Sequence, residues 1–250
     1  MKDPKHGAFA EILSQLESQI APSDDDLPAV GEAIRAFRQL LGDATNMGVT
    51  ADDRDLYVLL DRLVAAVVAA YPGGLCKAGC SACCDSHTAV FDVSPAEWAA
   101  LDNHMATRWT EAERQAFFER FESEHGPRLG TYRALAAIRF FEPVADHHFG
   151  QKPYRCPFLV EGRCSVYAAR PLACRMYGHF ATRTRWYAPP AIYACRKQAD
   201  FFSDVRDREP LHLPSSDMVV ARAKRLMGGR MRILPFWIER VRRQAARSEV

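Results

Sequence analysis

The sequence predicts a mainly α protein: a compact helical domain with short strands and irregular cysteine-bearing loops around a metal site. Three observations carry this expectation. Apolar residues recur at helical spacing in several stretches, two of which follow complete capping-box signals. The chain lacks the strand and helix alternation that a doubly wound sheet or a barrel requires, and it shows no internal repeat. All eight cysteines fall between Cys76 and Cys195, so the chemistry is confined to the middle of the chain.

Over 52–71, Leu56, Leu59, Leu60, Leu63, Val64, Val67 and Val68 follow one helical face, and Pro72, Gly73 and Gly74 stop it. A short β-prone stretch at 87–93 precedes Ser94, Pro95 and Glu97, an N-cap, a first-turn proline and a capping-box glutamate in register, so a helix is expected from Pro95. Thr110 with Glu113 repeats the signal ahead of Phe117, Phe118 and Phe121, and a further helix is expected through Tyr132, Leu135, Ala136, Ile138 and Arg139.

Composition places the chain among ordinary globular proteins. Its 250 residues are 48% hydrophobic and 26% charged, enough to bury a sizeable core without disulfides. The formal net charge of +2 excludes polyanion binding by bulk charge, but charge is unevenly spread. Residues 1–60 carry 11 acidic and five basic groups, with Pro22, Asp24, Asp25, Asp26 and Pro28 reading as a solvated linker. Residues 221–250 carry nine Lys or Arg against Glu239 and Glu249. The expected organisation is an acidic N-terminal arm at 1–50, a cysteine-cluster metal-binding domain at 51–214 and a basic C-terminal helical extension at 215–250. No run approaches the roughly 18 apolar residues of a membrane span, the longest being 63–70, and the N-terminus lacks a secretory pattern. A cytoplasmic protein with reduced thiols is the expectation, which favours metal ligands or redox groups over structural disulfides.

Cys76, Cys80, Cys83 and Cys84 form C-x3-C-x2-C-C directly after the Pro-Gly-Gly stop. A single free cysteine is a small buried hydrophobe, but four thiols in nine residues have few uses in a reducing compartment besides metal binding. The second group, Cys156, Cys164, Cys174 and Cys195, has 7, 9 and 20 residues between successive members. Those spacings carry no zinc knuckle and fit thiols delivered from separate loops onto a common site.

Taken together, C-x3-C-x2-CC, then Cys-Pro-Phe-Leu from Cys156, a Gly-x-Cys turn at Gly162, Val166-Tyr167, Arg170-Pro171 and Cys174-Arg175 resemble the YkgJ-like cysteine-cluster proteins, a family described as zinc- or iron-chelating. The resemblance covers about 72–198 and implies metal chelation by the eight cysteines, while implying little about a reaction. A similar cluster occurs in flagellin lysine N-methylases, so the alternative to a metal-binding module is a protein lysine N-methyltransferase. The two differ in whether the metal keeps an open position or is closed by four protein ligands.

Both an iron–sulfur cluster and Zn2+ remain open, with irregular spacing favouring the former. Cys83 and Cys84 are neighbours whose side chains are expected to point apart, so that one binds and the other serves a second site or packs. Four thiolates around either centre carry net −2, which nearby cations stabilise. Of the arginines beside the second group, Arg155, Arg163, Arg170, Arg175 and Arg196, the ones expected to support the site are Arg170 and Arg175. Tyr167, Pro171, Gly162 and Gly178 are expected to shape the backbone.

Other signals are weaker. Cys76-x3-Cys80-x2-Cys83 coincides with the radical S-adenosylmethionine loop, but the parallel-strand barrel that such enzymes use has no counterpart in the pattern that follows. His87, and the pair His147 and His148 after Asp146, read as polar loop residues before ligands. No phosphate cradle or Ser, His and Asp set can be assigned. In the basic tail, Leu226, Met227, Ile233, Leu234, Phe236, Trp237, Ile238 and Val241 interleave with cations, which reads as two short helices docked on the domain. An acidic partner or nucleic acid is the alternative. The tail is expected to be separable from the metal site, at a cost in stability if Phe236 and Trp237 dock.

Overall fold

The computed structural model describes residues 29–77, 79–85, 92–137, 155–182, 191–208 and 211–248. The segment 22–28, His87, Asp146, His147 and His148, and Ile138 and Arg139 lie outside the described residues. In chain order the elements are α1 (Ala29–Leu41), α2 (Leu56–Ala70), β1 (Asp92–Val93), α3 (Pro95–Arg108), α4 (Glu111–His125), α5 (Leu129–Ala137), β2 (Leu159–Val160), β3 (Arg163–Cys164), α6 (Leu172–Met176), β4 (Phe180–Thr182), β5 (Ala191–Tyr193), α7 (Arg196–Arg206), α8 (Ser216–Leu226), β6 (Arg232–Ile233) and α9 (Leu234–Ser248). The protein is mainly α, with strands of two or three residues paired as β1–β6, β2–β3 and β4–β5. Among the described residues no helix is long and apolar enough to cross a membrane.

The chain forms two compact units, one from Met1–Ala78 with Arg175–Leu226 and the other from Gly79–Cys174 with Met227–Val250. In the first unit α1 packs on α2. Its buried Val30, Ile34, Phe37 and Leu41 form a helical stripe, one that the acidic balance of the first 60 residues masks in the sequence. The buried side of α2 comprises Leu56, Leu59, Leu60, Leu63 and Val67, whereas Val68 is 39% exposed. Positions 56, 60, 63 and 67 define the stripe, and Val68 falls beyond its edge. The helix starts at Leu56 because Asp55, fully buried, caps it. Its carboxylate accepts from the backbone N–H of Tyr57 (2.8 Å), Gly48 (2.8 Å), Val49 (2.6 Å) and Thr50 (2.8 Å), fixing the preceding loop with the same side chain. Arg175 is buried here, its guanidinium paired with Asp61 and lying 4.0 Å from the centre of the Tyr57 ring.

The second unit is built on α3, α4, α5 and α9. Both expected capping boxes are present: Ser94 with Glu97 opens α3 and Thr110 with Glu113 opens α4. Val93, Trp98, Leu101, Phe117, Phe121, Tyr132, Phe158, Trp237 and Ile238 share one core, against which Cys156 and Cys164 also pack. The C-terminal segment enters through β6, whose Ile233 and Arg232 pair with Asp92 and Val93 of β1. Trp237 then stacks on Trp98 (centroids 6.2 Å apart) and donates its indole N–H to the Val93 carbonyl at 2.9 Å. Trp237 therefore docks on the core, and α9 is an integral wall of this unit.

One buried titratable group in this core gives a pH dependence. His125, 2% exposed, stacks on Phe121 and shares a hydrogen bond of 2.9 Å between Nδ1 and the Tyr132 hydroxyl. Burial, reinforced by Arg128 and Arg120, pushes its pKa down to about 4. In the unfolded chain the ring titrates near 6.5, so between about 6.5 and 4 the unfolded state binds the proton and the folded state does not. The stability due to the neutral ring is complete above pH 6.5 and is lost as pH falls toward 4, by about 3 kcal/mol. Urea unfolding at pH 7 and pH 4.5 should show this slope in the wild type and a flatter one in His125→Gln. Equal slopes would assign the acid sensitivity elsewhere.

Candidate metal centre

The first cysteine loop curls tightly. The N–H groups of Cys84 and Asp85 both donate to the Ser81 carbonyl, at 2.8 and 2.9 Å, and the resulting turn sets the Sγ atoms of Cys83 and Cys84 3.8 Å apart. This corrects the expectation that the neighbours point apart. Divergence of adjacent side chains belongs to extended backbone, where successive Cβ atoms alternate, and this backbone is turned.

Three thiols of the second group reach the same neighbourhood on separate supports. Cys156 donates its N–H to the Cys84 carbonyl at 2.7 Å, which fastens the start of its loop to the first cysteine turn. The chain then forms the β2–β3 hairpin. Glu161 (φ 48°) and Gly162 (φ 74°) both occupy the left-handed region, as a type I′ turn requires, and Cys164 lies opposite Leu159. The Ser165 N–H (2.9 Å) and hydroxyl (3.0 Å) both donate to the Phe158 carbonyl and close the hairpin. Cys174 sits on α6. The Leu172 N–H there donates to Glu97 Oε1 at 2.8 Å, while Oε2 accepts from the Ser94 N–H at 2.8 Å. Buried Glu97 thus holds the α3 N-terminus and the Cys174 helix together. The sequence identifies Glu97 as a capping residue, but nothing in it marks the use of the second carboxylate oxygen.

The thiols perturb one another. A hydrogen bond with Cys84, then burial, pushes the Cys83 thiol far up, and a hydrogen bond with Cys156 does the same to Cys84. Burial raises Cys164 and raises Cys174 more strongly, and the charges of Cys83 and Cys84 add to the rise of Cys174. The opposing cation is Arg170, which favours the thiolates of Cys83, Cys164 and Cys174. Its guanidinium lies 3.7 Å from the centre of the Tyr167 ring, so Tyr167 seats this cation in addition to shaping the loop. These thiols ionise together only if a cation compensates them, the condition under which a metal ion binds thiolates. Among the described residues no group of three or more His, Cys, Asp or Glu is arranged closely enough to hold an ion outright. The structure shows a close pair with three further thiols in electrostatic reach.

The other expected site residues are placed differently. Cys80 is exposed, and Arg155 pairs at 3.8 Å with Glu124. Cys76 and Cys195 belong to the first unit, as does Arg175 with its partner Asp61. There the Cys76 loop is stapled by Gln198, which no sequence motif marks. Its Oε1 accepts from the N–H groups of Leu75 (2.6 Å) and Cys76 (3.1 Å), and its Nε2 donates to the Gly178 carbonyl at 3.1 Å. Gly178 has φ +88°, and a Cβ there would meet Cys76 Sγ at 2.2 Å, so glycine is required twice over. Gln198→Leu leaves two N–H groups and a carbonyl unpaired and should cost about 2–4 kcal/mol. Denaturant unfolding would measure the loss, and Cys76 should react faster with a thiol reagent. An unchanged labelling rate would mean that Gln198 does not position Cys76.

All eight cysteines are free thiols. Residues 75–196 match the family model CxxCxxCC, described as "Putative zinc- or iron-chelating domain". This segment is a CxxCxxCC domain. The CxxCxxCC domain spans every cysteine together with Arg170, Glu97 and the hairpin, and leaves α1, α2, α8 and α9 outside the matched region. No curated protein and no solved structure matches the chain.

Proposed function

We propose that the CxxCxxCC domain binds one metal centre, a zinc ion or a two-iron cluster, in which Cys83 and Cys84 share one tetrahedral metal and the remaining ligands are drawn from Cys156, Cys164 and Cys174. The observation that carries this is the Sγ–Sγ separation of 3.8 Å. A tetrahedral centre with metal–sulfur bonds of about 2.3 Å has ligand atoms about 3.8 Å apart, so the turn at Ser81 presents one edge of the tetrahedron. Arg170 supplies the compensating cation for the net −2 of four thiolates. Cys80, Cys76 and Cys195 have no ligand role in this proposed centre.

Five thiols for four positions leave no place that water or substrate must fill, which favours a closed structural or electron-transfer centre over a catalytic one. A closed zinc site contributes folding energy outright, whereas an iron centre adds one-electron chemistry. The same pair spacing suits Zn2+ or one iron of a two-iron cluster. A four-iron cluster takes one thiolate per iron and would require Cys83 and Cys84 to separate. Anaerobic purification with metal and acid-labile sulfide analysis tests the reading. The expected result is about one zinc, or two irons with two sulfides, per chain. Four irons with four sulfides would overturn the shared edge, and a protein that takes up no metal on anaerobic reconstitution would overturn chelation.

A further inference from the structure

A second site lies in the same unit, at a cavity of about 330 Å3 lined by Arg133 on α5 and by Phe236, Glu239, Arg240, Arg243 and Gln244 on α9. Three guanidinium groups line it, and two of them bind one carboxylate. Glu239, only 4% exposed, accepts from Arg133 Nε at 2.9 Å and from Arg243 at 2.7 Å, both on Oε1. Burial pushes that carboxyl up, but the two guanidiniums outweigh it and hold it below its ordinary range, so it stays ionised. It works as an anchor that fixes two cationic forks at the cavity wall while leaving each with further N–H donors.

Arg240 is arranged differently. It is exposed, with its guanidinium 5.8 Å from the Trp237 ring centre, and no carboxylate among the described residues pairs with it. Its neighbour Arg242, by contrast, pairs with Glu122 at 2.7 Å. The described side chains that line the cavity therefore sum to a net charge of two positive units. Its apolar component is Phe236, half-buried and edge-on to Trp237. The volume is at the lower end of the range for small-ligand sites, about 300–1,000 Å3.

We infer that this cavity binds a small dianion carrying a flat ring, a phosphate monoester of the nucleoside monophosphate class. The phosphate would be held by Arg240 together with the spare donors of Arg133 and Arg243, and the ring would lie against Phe236. A phosphate monoester has a charge near −2 at neutral pH, which matches the lining, and guanidinium forks suit its oxygens. The Arg232 guanidinium already lies over the Phe236 ring, 5.5 Å from its centre, so the ligand's ring would rest on the part of Phe236 that lines the cavity. The inference is independent of the metal reading, because no cysteine is among the described residues that line the cavity.

Isothermal titration of the full chain with adenosine 5′-monophosphate, adenosine and inorganic phosphate tests it. The monophosphate should bind one per chain, with adenosine and phosphate each at least about tenfold weaker and with affinity falling as salt rises. Arg240→Gln should weaken the monophosphate about tenfold while metal content and melting temperature stay at wild-type values. Equal affinity for adenosine and its monophosphate, no saturable binding, or an Arg240→Gln variant that binds as wild type would each overturn the proposal. Binding of a single-stranded oligonucleotide that the monophosphate does not displace would overturn it in favour of an extended nucleic-acid surface.

Discussion

Serine in place of either Cys83 or Cys84 is expected to cost the protein the same metal ion. Two thiols 3.8 Å apart on one turn present two vertices of one tetrahedron, so removing either leaves a site that the other cannot hold alone. Metal per chain, measured by atomic emission after anaerobic purification, should fall to the same low value in both variants. Binding of a structural thiolate zinc is worth on the order of 10 kcal/mol, comparable with the whole stability of a domain, so both variants should also unfold at much lower denaturant. If one variant kept the wild-type metal content and the other lost it, the retained serine would mark a packing position and the shared edge would be wrong.

The second large effect concerns α9. Trp237 is 7% exposed, stacked on Trp98 and hydrogen-bonded to the Val93 carbonyl, so Trp237→Ala removes an aromatic from the centre of the core and orphans a buried acceptor. The expected loss is about 3–5 kcal/mol, with removal of 234–248 costing more. Truncation before Ser215 would remove both β6 and α9, and with them part of the core on which Cys156 and Cys164 pack, so metal should be lost along with the fold. The sequence alone predicts a separable tail. Near-wild-type urea resistance in Trp237→Ala, together with full metal content in the truncated chain, would restore that view.

What was legible in the sequence depended on the range of the interactions. Both capping boxes are local patterns within four residues, and both are realised with their donors and acceptors as expected, because such a motif satisfies its own backbone groups whatever surrounds it. The hairpin before Cys164 was signalled by Gly162 alone; the left-handed Glu161 beside it was not. The orientation of Cys83 and Cys84 departs from the sequence expectation because alternation of side chains holds for extended backbone, whereas the Ser81 carbonyl bends the chain by accepting two N–H groups. Glu97 and Gln198 tie together segments more than 70 residues apart, and no periodicity or spacing encodes a partner at that distance. Arg170 and Arg175, five residues apart and alike in sequence context, go to different surroundings: one acts on the thiols, the other pairs with Asp61.

The interleaving of the two units has a consequence for how the protein is made. Each unit draws on chain from two separated stretches, and the second is completed only by residues after Met227. At a synthesis rate of about 5–20 residues per second, the thiols at 80–84 leave the ribosome on the order of ten seconds or more before α9 exists to close their core. Through that interval they are exposed on an unfinished fold, open to oxidation and to adventitious metals. Slowing translation between Cys84 and Leu234 should lower the yield of correctly metallated protein, and supplying the metal during synthesis should recover it.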